Sequence, residues 1–254
     1  MKYCSVIMTH YSLADDYGET RLGIKMTDGM RERLEKQGFK MEDYTRSKLM
    51  RHTIRTLLKN TDYPYELIVV DNGGNPDDTD FLLDLTRKKK ITTLIRNADN
   101  MLFGYGRNQA IPMATGDYIC IMDNDLRFNK GWLTACINLL EKYPDEKLIA
   151  SPYLSPEKDN NKYNIPSPKG SRKNSACGSN CMIMTPETLK DVGMFKYNSV
   201  AGTYWHRALS KKGYSIILPP EDMIFHTGCF GGINFHKPMK VAKTLSNGTE
   251  VIFK

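Results

Sequence analysis

Short apolar runs recur along the chain and alternate with longer stretches of helical period. Tyr3–Thr9, Glu66–Asp71, Thr92–Arg96, Tyr118–Asp123, Leu148–Ser151, Asn180–Met184, Ser215–Leu218 and Met223–His226 read as strands. Between them Asp43–Lys59, Asp77–Lys88, Tyr105–Ala114, Lys130–Tyr143, Pro186–Val192 and Thr203–Lys212 read as helices. In the first of these, Leu49, Thr53 and Leu57 join Met50, Ile54 and Leu58 in one mostly apolar stripe. Thr185 before Pro186 gives a cap and a first-turn proline, and Gly193 follows the helix end. Strands in alternation with helices predict an α/β fold, a mostly parallel central sheet flanked by helices on both faces. No internal repeat or linker divides the chain, so a single domain spans it.

Three segments break the pattern. Residues 13–42, charged and carrying Gly18, Gly23, Gly29 and Gly38, are too long for an ordinary strand-to-helix loop and read as a lid or a surface decoration. Residues 154–175, with Pro156, Pro166 and Pro168 and no period, read as a mobile loop. The tail, Val241–Phe253, turns at Ser246-Asn247-Gly248 and reads as a C-terminal β-hairpin.

Composition narrows the class. With 40% hydrophobic and 26% charged residues among 254, the bulk of the chain buries a core rather than remaining disordered. Its longest apolar runs fall far short of the ~18 residues a membrane span needs. Met1–Thr9 reads as a strand, not a secretory leader. Six cysteines include no CxxC pair, which fits buried or free thiols in a reducing compartment and predicts a cytoplasmic protein. The net charge of +7 draws attention to basic clusters. Arg87 to Lys90 end a helix, where cations favour its dipole. Lys158, Lys162, Lys169, Arg172 and Lys173 of the 154–175 region interleave with Tyr163 and follow Tyr153, as in a groove tracking phosphates, or as plain solubility requires.

The sharpest chemical feature is Asp123-Asn124-Asp125, which ends the strand YICIMDND. Carboxylates two apart on an extended segment point to one side. At a strand end they reach solvent together and can hold a hard divalent cation, which in turn neutralises phosphate oxygens. An acidic turn is the bland alternative. Upstream, LIVVDNGG sets Asp71 at the carboxyl end of a strand, the edge where open α/β sheets bind ligands. Then follow Asn97, Asn100, and Gly104 and Gly106 at an expected helix start. A helix N-terminus offers free N–H groups to an anion, and Arg107 comes directly after the glycines.

In combination, D-N-G-G, N-x-x-N-x-x-F-G-x-G-R-N and A-T-G-D-Y-I-x-x-x-D-N-D resemble the nucleotide-sugar half of family-2 glycosyltransferases with the GT-A, Rossmann-like fold. CGSNCMIMTPETLKDVGMF and RALSKKGYSIILPPEDMIFH are similar to that family's second half. The resemblance divides the chain into a nucleotide-sugar half (1–125), an acceptor half (126–236) and the tail (237–254). It implies that Asp71, Asn97, Arg107 and Asp123 line the nucleotide site. It also implies that Asp123, Asp125 and His226 hold the metal, Asp125 facing the leaving group. Imidazole suits Mn²⁺ better than Mg²⁺. The implied activity is hexosyl or pentosyl transfer from a nucleoside-diphosphate sugar to an acceptor hydroxyl, with inversion.

One departure stands out. Where inverting members place a carboxylate base, this chain has Ala201-Gly202. Glu221, Asp222 and His206 are the remaining base candidates, His206 being expected on the surface and the other histidines structural. The acceptor stays open among polyanions: an acidic glycan, a lipid-linked phosphate or modified nucleic acid. Two other classes stand beside this reading, a nucleotidyltransferase on a similar sheet and a non-catalytic carbohydrate- or nucleic-acid-binding relic.

Overall fold

Residues 4–10 and 65–72 alternate between two buried faces, so each strand is apolar on both sides, the mark of a sheet covered twice. These are β1 (Cys4–His10) and β2 (Tyr65–Asn72). With them run β3 (Thr93–Asn97), β4 (Tyr118–Met122), β6 (Leu148–Ala150), β7 (Cys181–Met184) and β8 (Ser215–Ile217). Together they form a seven-stranded sheet in the order β3-β2-β1-β4-β7-β6-β8. All neighbours are parallel except β7, which is antiparallel to both β4 and β6. The computed structural model describes residues 1–12, Glu35, 46–152, 180–196, 201–221, 223–226, 242–244 and 250–252. The 13–42 insertion (Glu35 apart), the 154–175 loop and Asp222 lie outside the described residues.

The alternation along each strand sorts side chains into two layers. Val6, Met8, Leu67, Val69, Cys120 and Met122 face α1 (Arg46–Asn60), α2 (Pro76–Arg87) and α4 (Trp132–Lys142). Ile7, Ile68, Val70, Ile119 and Ile121 face α3 (Leu102–Ala110), α5 (Pro186–Val192) and α6 (Ala201–Lys211). Each fully buried Val, Leu or Ile contributes about 1.5–3 kcal/mol, and a slip of one residue would exchange the layers, so the register is fixed by burial. The mostly parallel sheet with helices on both faces is as the pattern predicts. So is the tail hairpin, β10 (Ala242–Thr244) against β11 (Glu250–Ile252), antiparallel. The cysteines expected to be buried thiols are so at Cys4, Cys120, Cys136 and Cys181.

Two local readings change. Helix α3 starts at Leu102, not Tyr105, because side chains cap it early. Met101 N donates to Asn72 Oδ1 at 3.1 Å and Leu102 N to Asn100 Oδ1 at 2.9 Å. Gly104 and Gly106 therefore lie inside the helix rather than at its open end. Gly106 is there for close approach: a Cβ on it would sit 2.8 Å from Thr9 Cγ2 on β1. The second change is a strand the pattern did not reveal, β5 (Leu126–Phe128), which pairs antiparallel with β9 (Ile224–His226) outside the main sheet.

Candidate active site

The carboxyl ends of β1, β2, β3 and β4 share one edge, and the site grows from β4. Where β4 ends, Asp123 N donates to Asn180 O across the β4–β7 pair at 2.7 Å. The chain then turns through Asn124 and Asp125 into β5. Side chains of α1 hold β5 along its free edge. Leu126 N donates to Thr53 Oγ1 at 2.8 Å, Phe128 N to Thr56 Oγ1 at 3.3 Å, and Asn60 Nδ2 to Phe128 O at 2.7 Å. The other edge of β5 takes β9 in a register that sets Leu126 opposite His226. That ribbon delivers His226 to Asp125, Nε2 to Oδ1 at 3.0 Å.

Asp123, Asp125 and His226 thus converge, each offering a ligand atom within 4.8 Å of the others. Two carboxylate oxygens and one imidazole nitrogen make a donor set that fits a divalent cation of the Mn²⁺ kind. Both acids are partly enclosed, their side chains 32% and 20% exposed. Burial, reinforced by the charge of Asp125, raises the Asp123 carboxyl against the pull of Arg107. Burial acts on Asp125 as well, but His226 and Arg46 outweigh it and hold that carboxyl low.

Arg107 donates from Nη2 to Asp123 Oδ1 at 2.6 Å. It lies in the last turn of α3, fully enclosed, with its guanidinium 4.0 Å from the Phe103 ring centre and 5.3 Å from that of Phe195. Asp71 and Asn97 lie on the same edge in networks of their own. Asp71 accepts from Gly74 N at 2.9 Å and Thr79 Oγ1 at 2.6 Å, closing the turn at Gly73, whose φ of +77° suits glycine. Asn97 exchanges hydrogen bonds with Gln109 at 2.7 and 2.9 Å and donates to Asn72 Oδ1 at 2.9 Å. Glu221 is exposed.

His206, read from sequence as a surface residue, is buried on α6, beside the Trp205 ring and close enough to Arg107 to feel its charge. Burial first, and the Arg107 charge second, push its imidazole down to about 4. Between that value and the ordinary ~6.5 of an unfolded histidine, the unfolded chain binds the extra proton, so acid favours unfolding. Stability from this group is full above about pH 6.5 and falls as pH drops toward about 4, by roughly 3 kcal/mol. Urea unfolding of the wild type and His206→Leu at both ends of that window measures it: the variant should lose this part of the acid slope.

Sequence reading missed a second layer behind the aspartates. Asn124 Nδ2 donates to His10 Nδ1 at 2.7 Å, and His10 Nε2 donates to Asp78 Oδ2 at 3.0 Å. Asp78, at the start of α2, has a fully buried side chain. It also accepts from Ser12 Oγ and Ser47 Oγ, both at 2.6 Å, and from Arg51 Nη2 at 3.1 Å. The signal was there in outline: between two aspartates that share a side, Asn124 must point the other way.

The family model for glycosyl transferase family 2 matches residues 44–189, and the chain belongs to that family. A Drosophila melanogaster protein named "Putative polypeptide N-acetylgalactosaminyltransferase 13" is 34% identical over 122 residues, 44% of this chain and 21% of its own length. The glucosyl-dolichyl phosphate glucuronosyltransferase of Haloferax volcanii is 27% identical over 37% of this chain and 29% of its own length. This chain therefore matches well under half the length of these curated relatives. Among solved structures, S. aureus TarS 1-349 in complex with UDP-GlcNAc is similar at a TM-score of 0.57 and 15% identity, covering 91% of this chain and 62% of that one. The mannosyltransferase PcManGT from Pyrobaculum calidifontis, in complex with GDP-Man and Mn²⁺, is similar at 0.53 and 18%, covering 86% and 55%. The fold is that of these glycosyltransferases, GT-A.

Proposed function

We propose that this chain transfers a sugar from a nucleoside-diphosphate sugar to an acceptor hydroxyl with inversion, using a divalent cation at Asp123, Asp125 and His226. The convergence of those three side chains at the β4 edge of a family-2 chain is the observation that supports the reading most. When bound, the cation supplies charge neutralisation for the departing diphosphate. The protein's part is to hold its ligands still. Arg107 fixes Asp123, the β5–β9 ribbon fixes His226 against Asp125, and His10 fixes the turn between the acids.

Asp71 and Asn97 line the nucleotide side of the edge, acting through the turns they brace. The base stays unassigned: Glu221, which is exposed, and Asp222, next to it in sequence, are candidates, and His206 is buried. An imidazole ligand favours Mn²⁺ over Mg²⁺. A cytoplasmic setting is proposed from the buried thiols at Cys4, Cys120, Cys136 and Cys181, which form no disulfide; among the described residues no helix is long and apolar enough to cross a membrane. The net charge of +7 supports a polyanionic acceptor.

A thermal-shift panel of nucleoside diphosphates with and without Mn²⁺ tests the reading. A ligand at a hundredfold excess over Kd stabilises by about 2.7 kcal/mol, or ~5 °C or more for a chain of this size. At least one nucleoside diphosphate should give that shift with Mn²⁺ and lose most of it in chelator. Shifts that ignore the metal would remove the cation from the proposal.

A further inference from the structure

Asn180 stands immediately before β7 and touches both arms of the acidic cluster without belonging to it. Its backbone carbonyl accepts from Asp123 N at 2.7 Å, and its side-chain Nδ2 lies 3.0 Å from His226 Nδ1. The other ring nitrogen of His226, Nε2, faces Asp125 Oδ1 at 3.0 Å. Asn180 is itself 5% exposed, and among the described residues its Oδ1 has no hydrogen-bond partner.

A neutral imidazole carries one N–H, and the partner of one nitrogen decides which nitrogen carries it. With Asn180 Nδ2 donating to Nδ1, the proton sits on Nε2 and is donated to Asp125. In that form Nε2 has no lone pair for a cation. Ligation needs the proton on Nδ1, and Nδ1–H then needs an acceptor. The two ends of a carboxamide are almost the same size, so a half-turn about Cβ–Cγ puts Oδ1 where Nδ2 stands. A ligating histidine commonly gives its second N–H to such an acceptor, and losing that partner costs 10–100-fold in metal affinity or activity.

We propose that Asn180 is the positioning residue that sets the His226 tautomer. It donates to Nδ1 while Nε2 is paired with Asp125, and accepts from Nδ1–H when Nε2 holds a divalent cation. The inference rests on the proposed cation site. An amide serves both states from one position, a carboxylate only the second, and an aliphatic side chain neither.

The experiment compares wild type, Asn180→Asp and Asn180→Leu, with ¹⁵N-labelled histidine, at about pH 8, above the ordinary imidazole pKa of ~6.5. Without metal, long-range ¹⁵N–¹H correlations should show His226 as Nε2–H in the wild type and as Nδ1–H in Asn180→Asp. Mn²⁺ titration followed by electron paramagnetic resonance should give wild-type affinity or tighter for Asn180→Asp and 10–100-fold weaker binding for Asn180→Leu. An unchanged tautomer in Asn180→Asp overturns the inference, as does an unchanged Mn²⁺ affinity in a folded Asn180→Leu. If Asn180→Leu does not fold, the metal-free spectra of the other two decide. Failure of the site itself looks different: wild type would bind no Mn²⁺ while Asn180→Asp still moved the proton.

Discussion

Asp125→Ala should lower donor turnover by ~10³-fold, the equivalent of ~4 kcal/mol of lost charge stabilisation, while leaving the fold in place. The side chain is a fifth exposed. Its neighbour two residues away should behave differently. Asp123→Ala removes the Asp123 carboxylate from Arg107, whose side chain is 1% exposed, and a buried ion that loses its partner costs about 3–5 kcal/mol. Both variants should fail to release nucleoside diphosphate from donor, but only Asp123→Ala should shift the urea midpoint strongly. Near-wild-type turnover by Asp125→Ala, or equal wild-type rates in chelator, would falsify the metal proposal. Equal urea midpoints for the two variants would contradict the account of Arg107.

The second large effect is expected well behind the acids. Asp78→Ala should destabilise the protein by about 3–5 kcal/mol, because it leaves Arg51, His10, Ser12 and Ser47 without their common acceptor. For a chain of this length that is a fall of roughly 10 °C in Tm. The pH dependence follows from the same contacts. Burial alone would raise the Asp78 carboxyl, yet the hydrogen bonds from His10, Ser12 and Ser47 hold it far below the usual carboxylate range. A carboxylate depressed in the folded state contributes stability above its unfolded pKa of ~4 and loses it as pH falls below that value. Asp78→Ala should therefore flatten the acid limb below about pH 4, in a window separate from that of His206. A Tm unchanged by the substitution would show that the hub adds nothing net.

The strands were legible because buried parallel strands are nearly continuous in apolar residues, and the helices because their stripes are. What escaped was held by polar groups acting at a distance. Leu126-Arg127-Phe128 is too short to announce a strand. Its partner lies a hundred residues on, and its other edge is held by Thr53, Thr56 and Asn60 of α1. In the sequence Thr53 looks like a flaw in an apolar stripe, and Asp78 like an ordinary first-turn acid. Arg107 was read at a helix start because of the glycines, whereas Asn72 and Asn100 cap the helix earlier and put it in the last turn. The acids were legible as a close pair after an apolar strand, although the chain turns between them rather than staying extended; Asn180 and His10 were not, since nothing in their local sequence tells which side chain they meet.

The interior place of β1 in the sheet bears on how the chain can assemble. It pairs on one edge with residues 65–71 and on the other with 118–122. Until both arrive, CSVIMTH presents two unsatisfied edges and apolar faces, the features that make a nascent segment prone to wrong pairing. Loop closure over such separations precedes any reward from contact, so folding should be slow for the chain's size. Its last step should be local to the edge where Asp123 and Asp125 lie: His10, at the end of β1, cannot meet Asn124 until β4 has docked, and β4 in turn meets its outer neighbour only when β7 arrives. Order at the acids is thus the final product of assembly, and a partly folded chain should show the sheet before it shows the site.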